Sequence, residues 1–159
     1  YIALGSNLGD SASNIKRAFA ELQKLSDKPL QKSSLWRSKP VDCPPESPDF
    51  INAVISLEPF EGETPESLLS KLQSVEVEFG RKQKEVLNEP RPLDLDIIAF
   101  GEEIRETIQL ILPHPRWYQR RFVLEPLSEI APDVFLPGQI QSVIQLLSEL
   151  DTTEVLVRL

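Results

Sequence analysis

The sequence lacks several features that mark whole classes of protein. It holds one cysteine, Cys43, so no disulfide can form within the chain, which fits a reducing compartment. No apolar run approaches the ~20 residues of a membrane span, and no signal peptide is visible. Basic residues number 17 against 25 acidic ones, and the net charge of −8 argues against a nucleic acid or an anionic membrane as partner. We therefore expect a cytoplasmic protein, and the net charge does not exclude a substrate that carries phosphate.

Methionine is also absent, so we expect that Tyr1 is not the natural start of the protein and that the chain has been trimmed. What is present is typical of a folded protein, since hydrophobic residues make up 40% of the sequence and the mean hydropathy is −0.21. A chain of 159 residues is long enough to bury one core. We predict a single domain over residues 1–159.

Hydrophobic periodicity predicts an α+β fold. Apolar residues alternate where strands are expected and recur at helical spacing between them. The predicted order is strand, helix, strand, strand, helix and strand, over residues 1–4, 11–25, 30–37, 50–57, 65–79 and 93–100. This order is typical of the ferredoxin-like βαββαβ sandwich, whose antiparallel-rich sheet carries helices on one face. We expect C-terminal helices to follow, and a last strand near residues 154–159.

Two aspartates on the strand at residues 93–100 form a candidate metal site. Asp94 and Asp96 are two residues apart and so point to one face, while the other face carries the predicted core residues Leu93, Leu95, Ile97 and Ala99. Paired carboxylates are costly unless a cation joins them, and Mg²⁺ prefers such oxygens together with substrate phosphates. Arg91 is a candidate phosphate ligand on the same segment. The alternative is a strand with one wet face on which both aspartates are solvated.

Aromatic and polar side chains at other positions suggest a ligand with a ring and phosphates. Phe50 and Asn52 share one face of a strand, where one could stack on a heterocycle and the other bind its edge, or both could be ordinary strand residues. His114, the only histidine, lies in a segment with Arg116, Arg120 and Arg121. That segment is either a phosphate-binding patch or a solvated surface.

Three further segments keep two interpretations each. Gln73 and Glu76 lie one turn apart on a predicted helix and face either a site or water. The polar segment 81–92 is either a solvated loop or a lid over an anionic ligand. The turn that begins at Gly5-Ser6 could cradle a phosphate, but it lacks the spacing of a Walker loop or a dinucleotide fingerprint, so we interpret it as mainly structural.

Taken together, these segments resemble the 6-hydroxymethyl-7,8-dihydropterin pyrophosphokinase family of folate biosynthesis. The resemblance covers nearly the whole chain up to Leu150 and is carried by Tyr1–Gly9, Phe50–Ala53, Pro90–Ile97, Pro113-His114 and Arg120–Leu127. It implies the ferredoxin-like fold. It also implies an enzyme that moves the β,γ-pyrophosphoryl group of ATP to the hydroxymethyl oxygen of the pterin and leaves AMP.

The resemblance implies roles for individual residues at the metal and pterin sites. By this comparison, Asp94 and Asp96 hold two Mg²⁺ ions that bridge the triphosphate. Phe50 and Phe122 sandwich the pterin ring, and Asn52 hydrogen-bonds its polar edge. The remaining residues that the resemblance implies for the pterin pocket are Ser38, Pro40 and Val41.

The resemblance also implies a nucleotide side. Arg91, His114 and Arg120 meet the phosphates of ATP, and of these Arg91 and Arg120 act with the aspartates in catalysis. The other residues implied for the nucleotide are Gln73, Glu76 and Ile97. The implied partners are therefore ATP and the pterin, and we expect a monomer unless the chain is fused to another folate enzyme.

This sequence departs from the usual family pattern in the segment that would grip ATP. Asn88-Glu89 stands where many members carry Trp-Gly, and Gln83 and Gln109 stand where an arginine is common. The metal pair and the pterin set are retained, so we expect the chemistry to persist. Arg116 and Lys84 are candidates to compensate at the lid.

Two other functions remain as alternatives. A magnesium-dependent nucleotidyltransferase also uses an Asp-x-Asp pair with a Gly-Ser turn. In that class the turn and the acids are close in sequence, whereas here Gly5-Ser6 and Asp94 are far apart. A non-catalytic pterin- or nucleotide-binding module would be expected to have lost its metal ligands, but both aspartates are present.

Overall fold

The central feature of the structure, a computed structural model that describes residues 1–40, 46–81 and 89–159, is one antiparallel sheet. Within the described residues it has six strands, which are β1 (Ile2–Ser6), β2 (Gln31–Lys32), β3 (Trp36–Ser38), β4 (Phe50–Ser56), β5 (Asp94–Ile97) and β8 (Leu156–Arg158). A separate hairpin pairs β6 (Arg105–Glu106) with β7 (Ile111–Leu112). The helices are α1 (Ser11–Gln23), α2 (Pro65–Glu78), α3 (Arg121–Ile130) and α4 (Val143–Glu149), with a 3₁₀ turn at Trp117–Gln119.

The strand order is β5-β1-β4-β3-β8, with β2 also paired to β4. Every pairing in the sheet is antiparallel, because each helical connection returns the chain two strand positions away. This arrangement confirms the predicted α+β, ferredoxin-like fold. It also puts β1 between the strand that carries Asp94 and the strand that carries Asn52.

Helices α1 and α2 cover one face of the sheet. Asp10 caps α1 by accepting the Ser13 N–H at 3.2 Å, and α2 begins with a capping box between Thr64 and Ser67. Their apolar stripes pack on the strands in a first core cluster that includes Ile15, Ala18, Leu22, Leu68, Leu72, Leu4, Ala53, Ile55, Leu93 and Leu95. Full burial of such a side chain contributes about 1.5–3 kcal/mol to folding.

The C-terminal helices α3 and α4 cover the opposite face. Their core includes Leu124, Leu127 and Val143, packed with Trp117 from the 3₁₀ turn and with Val54 from β4. Val54 lies between Ala53 and Ile55, which belong to the first cluster, so adjacent residues of one strand serve the two cores. No helix in the described ranges is both long and apolar enough to cross a bilayer.

The structure differs from the sequence-based expectation in two strands. The strand predicted over residues 30–37 is divided into β2 and β3, because Ser33 turns inward and its Oγ accepts the Val54 N–H at 2.9 Å. The strand predicted over 93–100 ends at Ile97. Ala99 was therefore wrongly assigned to the face of Leu93 and Leu95; it is buried in the second cluster, because the alternation stops where β5 ends.

Candidate active site

A cavity of about 520 Å³ lies between the sheet and the first turn of α3. Its floor is formed by β1, β4 and β5, and its wall by the 3₁₀ turn and α3. The charged side chains that line it are Lys39, Arg81, Arg91, Arg116, Arg120, Asp94, Asp96 and Glu154, and the aromatic ones are Phe50, Trp117 and Phe122. Cations outnumber anions here, although the chain as a whole is acidic. The cavity is therefore suited to an anionic ligand.

The register of the sheet explains why the two aspartates and Asn52 meet in this cavity. Gly5 on β1 pairs with Asn52 on one side and with Asp94 on the other, and Ala3 pairs in the same way with Val54 and Asp96. All of these side chains point to the same face. On this face, β1 thus carries only the small residues Ala3 and Gly5 between the two functional strands.

Gly5 is a cavity residue that the sequence analysis missed, because it was assigned to a turn. The other five glycines of the chain have positive φ, which glycine adopts at little cost, but Gly5 does not. A Cβ atom at Gly5 would lie 3.5 Å from Cδ1 of Phe50, an ordinary contact that fills the cavity floor. The absence of a side chain at this position therefore provides space rather than backbone freedom.

The carboxylates of the site converge on one arginine. Nη1 of Arg81 donates to Oδ1 of Asp94 at 2.5 Å and to Oε2 of Glu76 at 2.6 Å. The same Glu76 oxygen accepts the Leu95 N–H at 2.9 Å, which fixes α2 to the start of β5. Arg81 was predicted only as part of a lid segment, and its contact with Asp94 could not be read from the sequence.

Asp96 shows the electrostatic consequence of this crowding. Burial, together with the neighbouring charges of Asp94 and Glu76, raises the pKa of its carboxyl to about 7. Burial also raises the pKa of Glu76. A divalent cation beside Asp94 and Asp96 would remove this penalty, so the pair fits Mg²⁺. No cluster of three metal-binding side chains is found in the described part of the chain, so phosphate oxygens would have to complete the coordination.

Arg91 is held ready for an acceptor that the described residues do not provide. Its backbone N–H donates to Oδ1 of Asn7 at 2.9 Å, and its carbonyl accepts the Asn7 N–H at 3.1 Å. Its Cζ lies 5.4 Å from the centroid of the Phe50 ring. Nε is buried without a hydrogen-bond partner among the described residues, and Oδ2 of Asp94 is 3.7 Å away. A phosphate oxygen would satisfy this donor.

His114 and two arginines form the opposite, cationic side of the cavity. Burial lowers the pKa of His114, and the charges of Arg120 and Arg116 lower it further. Nδ1 of the ring accepts the Arg116 N–H at 3.2 Å, which requires that this nitrogen carries no proton. A neutral His114 can donate from its other nitrogen, so the group suits a phosphate oxygen better than a proton transfer.

The heterocycle side of the cavity is built around Asn52. This residue is 4% exposed, and its Nδ2 donates to Oγ of Ser38 at 2.7 Å, so its amide is oriented from β3. Phe50 provides a ring from the sheet and Phe122 one from α3. The Cζ of Arg120 lies 5.5 Å from the centroid of the Phe122 ring.

Comparison with known proteins matches most of the chain to one family. The family model described as 7,8-dihydro-6-hydroxymethylpterin-pyrophosphokinase matches residues 1–132, which include the aspartates, the arginines and both phenylalanines of the cavity. The chain belongs to the 7,8-dihydro-6-hydroxymethylpterin-pyrophosphokinase family. The family resemblance predicted from the sequence is thereby confirmed.

Relatives of this pyrophosphokinase family cover most of the chain. It is 38% identical over 154 residues to the 2-amino-4-hydroxy-6-hydroxymethyldihydropteridine pyrophosphokinase of Synechocystis, with 97% of this chain and 77% of the relative covered. It is 43% identical to the protein of the same name from Bacillus subtilis, with coverage of 84% and 78%. The folic acid synthesis protein fol1 of Pneumocystis carinii is 41% identical over 86% of this chain, which corresponds to only 18% of that longer protein.

Some residues that the pyrophosphokinase resemblance implies do not line the cavity. Gln73 is exposed on α2, and the side chain of Ile97 is 4% exposed in the first core cluster, whereas the next residue, Ile98, does line the cavity. Pro40 is half-buried outside the lining, while Lys39 is part of it. The nucleotide contacts of Gln73, Glu76 and Ile97 and the pterin contact of Pro40 stay predictions. The predictions for Val41, Gln83, Lys84 and Asn88 lie outside the described residues.

Proposed function

We propose that this chain transfers the pyrophosphoryl group of ATP to the hydroxymethyl group of 6-hydroxymethyl-7,8-dihydropterin and releases AMP, as a step of folate biosynthesis. Family membership supports the reaction. The observation that supports this reaction for the chain is a single cavity. It is lined by a pair of aspartates, by several arginines, and by Asn52 with Phe50 and Phe122. The aspartates would hold the metal, the arginines would bind the phosphates of ATP, and the asparagine and phenylalanines would bind the pterin ring.

Asp94 and Asp96 are the proposed ligands of two Mg²⁺ ions. When bound, the ions would neutralise the triphosphate and keep the attacking and leaving oxygens in line. Nη1 of Arg81 donates to Oδ1 of Asp94, so its guanidinium lies beside the proposed metal site. From this position Arg81 would serve the phosphates as an additional donor.

Arg91, His114 and Arg120 are the proposed phosphate ligands. Nε of Arg91 would gain the acceptor that the described part of the chain does not provide, and the two residues on the opposite side of the cavity would donate to other phosphate oxygens. Donors fixed in advance stabilise the negative charge that grows on the leaving AMP and on the transferred group. The chemistry is mainly positioning and charge stabilisation, so no residue is assigned as a strong general base.

The pterin is proposed to lie over Gly5, between Phe50 and Phe122. Asn52 would bind the polar edge of the ring, with its orientation set by Ser38. Asn52 and Asp94 are two strands apart in one row, which is about 9.5 Å at the usual strand spacing. This separation lets a two-ring heterocycle contact Asn52 at one end and present its hydroxymethyl group to the aspartates at the other.

The deciding experiment is an assay of products. Protein, Mg²⁺, ATP and 6-hydroxymethyl-7,8-dihydropterin are mixed, and nucleotides are separated by chromatography. We expect AMP in amounts equal to the pyrophosphorylated pterin, and none without the pterin. ADP would indicate ordinary phosphoryl transfer, free pyrophosphate would indicate a nucleotidyltransferase, and binding without product would indicate a non-catalytic module; each result would contradict the proposal.

A Phe122→Ala variant tests the proposed sandwich. The ring of Phe122 contacts the pterin but not the triphosphate in this arrangement, so the variant should weaken pterin binding by about tenfold or more and ATP binding by less than twofold. Calorimetry with each ligand measures both constants. Equal losses for the two ligands would argue against the sandwich.

We also propose that the chain acts in the cytoplasm and as a monomer, unless it is fused to another folate enzyme. The single cysteine supports a reducing compartment. Light scattering of the purified chain tests the monomer, which predicts a mass near 18.0 kDa.

A further inference from the structure

The C-terminal segment, residues 151–159, lies beyond the region that the family model matches but forms part of the substrate site. Its strand β8 pairs with β3, where Leu156 is opposite Ser38, and the Leu159 N–H donates to the Leu35 carbonyl at 2.9 Å. Glu154, just before β8, lines the cavity. The segment therefore contacts the strand that orients Asn52 and also reaches the start of α3.

Glu154 binds the first residue of α3 twice. Its Oε2 accepts the backbone N–H of Arg121 at 2.8 Å, and its carbonyl accepts from Nη1 of Arg121 at 3.3 Å. The Glu154 N–H donates in turn to Oγ1 of Thr152 at 3.1 Å, which fixes the local backbone. The guanidinium of Arg121 also pairs with Glu125, so Arg121 faces away from the cavity, unlike Arg120.

Helix α3 depends on this distant contact for its cap. The first turn of a helix leaves backbone N–H groups without partners, and they are usually satisfied by a side chain at the N-cap. Asp10, Thr64 and Ser142 supply that acceptor in α1, α2 and α4. At α3 the N-cap is Arg120, which makes no such bond, and the first turn holds no acid. Among the α-helices in the described ranges, α1, α2 and α4 are capped by their own N-cap residue, whereas α3 is capped by Glu154 from a distant segment.

The position of a carboxylate here needs an explanation, because Glu154 lines a cavity built to receive phosphates. An acid opposes anion binding unless its charge is engaged elsewhere. At the positive end of α3 the carboxylate accepts a backbone N–H and interacts favourably with the helix dipole.

We propose that Glu154 is a positioning residue for the substrate site. By capping α3 it fixes the two residues on either side of Arg121, which are Arg120 and Phe122. Without the cap, the first turn of α3 frays, and the Phe122 ring loses its fixed place against the pterin. The inference rests on the proposed function for its consequence on pterin binding, but the cap itself can be tested independently.

The test compares Glu154→Ala with Glu154→Gln in the full chain. Binding of 6-hydroxymethyl-7,8-dihydropterin is measured with Mg²⁺ and α,β-methylene-ATP, well below the unfolding temperature. Glu154→Ala should raise the dissociation constant about fivefold, the factor that corresponds to loss of a typical helix cap. Glu154→Gln keeps an acceptor for the Arg121 N–H and should stay within about twofold of the unaltered protein.

Ser142→Ala is the matched control, because it removes the cap of α4, which contributes nothing to the cavity lining. It should lower thermal stability as Glu154→Ala does but leave pterin binding unchanged. Unchanged binding in Glu154→Ala, or equal weakening in Ser142→Ala, would overturn the positioning role. Weakening in Glu154→Gln equal to that in Glu154→Ala would overturn the capping mechanism.

Amide hydrogen exchange separates this inference from the proposed function. Loss of the cap should speed exchange at Arg121 in Glu154→Ala only, whether or not the pterin binds. If the unaltered protein fails to bind the pterin, the proposed function fails while the exchange result still decides the cap. Equal protection of Arg121 in the unaltered protein and Glu154→Ala would overturn the cap.

Discussion

At the scale of single residues, the site is defined by carboxylates that repel one another. The spacing of Asp94 and Asp96 was sufficient to predict that both share a face, since strand geometry fixes that relation. The contacts of Arg81 with Asp94 and Glu76 could not be predicted from the sequence. They depend on how the end of α2 packs against β5. The raised pKa of Asp96 is the clearest consequence of this arrangement.

Replacement of Asp96 by alanine separates catalysis from folding. Loss of a metal ligand should lower kcat by on the order of 10³-fold or more. Without Mg²⁺ the variant should unfold at the same temperature as the unaltered protein or higher, because a buried carboxylate beside Asp94 and Glu76 has been removed. Steady-state kinetics and calorimetric melting measure the two effects.

Asp133→Ala is the control for that comparison, since Asp133 is an exposed aspartate outside the cavity and its loss should change neither quantity. Activity of Asp96→Ala close to that of the unaltered protein would remove the metal-ligand assignment.

His114 should make stability depend on pH in a defined direction. Its pKa in the folded protein lies below the ordinary value of 6.5, so the unfolded chain binds more protons as the solution is acidified. The contribution is therefore fully present above about pH 6.5 and is lost as pH falls through the lowered pKa.

Denaturant unfolding between pH 5 and pH 8 tests this. His114→Asn keeps an acceptor near the position of Nδ1 but cannot take up a proton. The variant should lose less stability on acidification than the unaltered protein. Identical pH profiles would contradict the proposed environment of His114.

At the scale of elements, the order and type of strands and helices could be predicted because apolar periodicity is strong in each. The division of the second strand could not. It depends on Ser33 and on Glu129 of α3, whose carboxylate accepts from the Ser34 N–H at 3.1 Å and from Nε1 of Trp36 at 2.6 Å. The contact between Ser34 and Glu129 joins residues that are 95 positions apart, so a local sequence pattern could not predict it.

Strand β1 offers a prediction of its own. Gly5→Ala should leave the fold intact, because the new methyl group meets Phe50 at an ordinary contact distance and the backbone angle suits alanine. The methyl group should nevertheless weaken pterin binding by about tenfold, because it occupies the floor on which the ring lies. Calorimetry with the pterin and circular-dichroism melting measure the two effects.

An unfolded Gly5→Ala protein, or one with unaltered pterin affinity, would argue that Gly5 serves the backbone rather than the cavity. Binding of MgATP provides an internal control and should change less than pterin binding.

At the scale of the whole molecule, one sheet separates two cores, and both depend on it. Since adjacent residues of β4 face opposite clusters, neither core can be disrupted without strain on the shared strand. The single domain predicted from chain length stays a prediction, and this architecture gives it a test.

Unfolding should therefore be one cooperative transition. Leu72→Ala in the first cluster and Leu127→Ala in the second remove side chains with 0% exposure, so each should cost about 2–5 kcal/mol. Urea unfolding followed by far-ultraviolet circular dichroism and by tryptophan fluorescence should give coincident curves in both variants. Two separate transitions, or a variant in which only one of the two core clusters unfolds at lower urea, would contradict a single domain.

Asn7 has a consequence that reaches beyond its own contacts. Its side chain and backbone together pair with both backbone groups of Arg91, so β1 continues its ladder past its last residue through an amide that imitates a peptide bond. Arg91 is thereby registered to the sheet. We therefore expect the position of Arg91 to be set by β1, and the phosphate site to keep this arginine in place before any ligand binds.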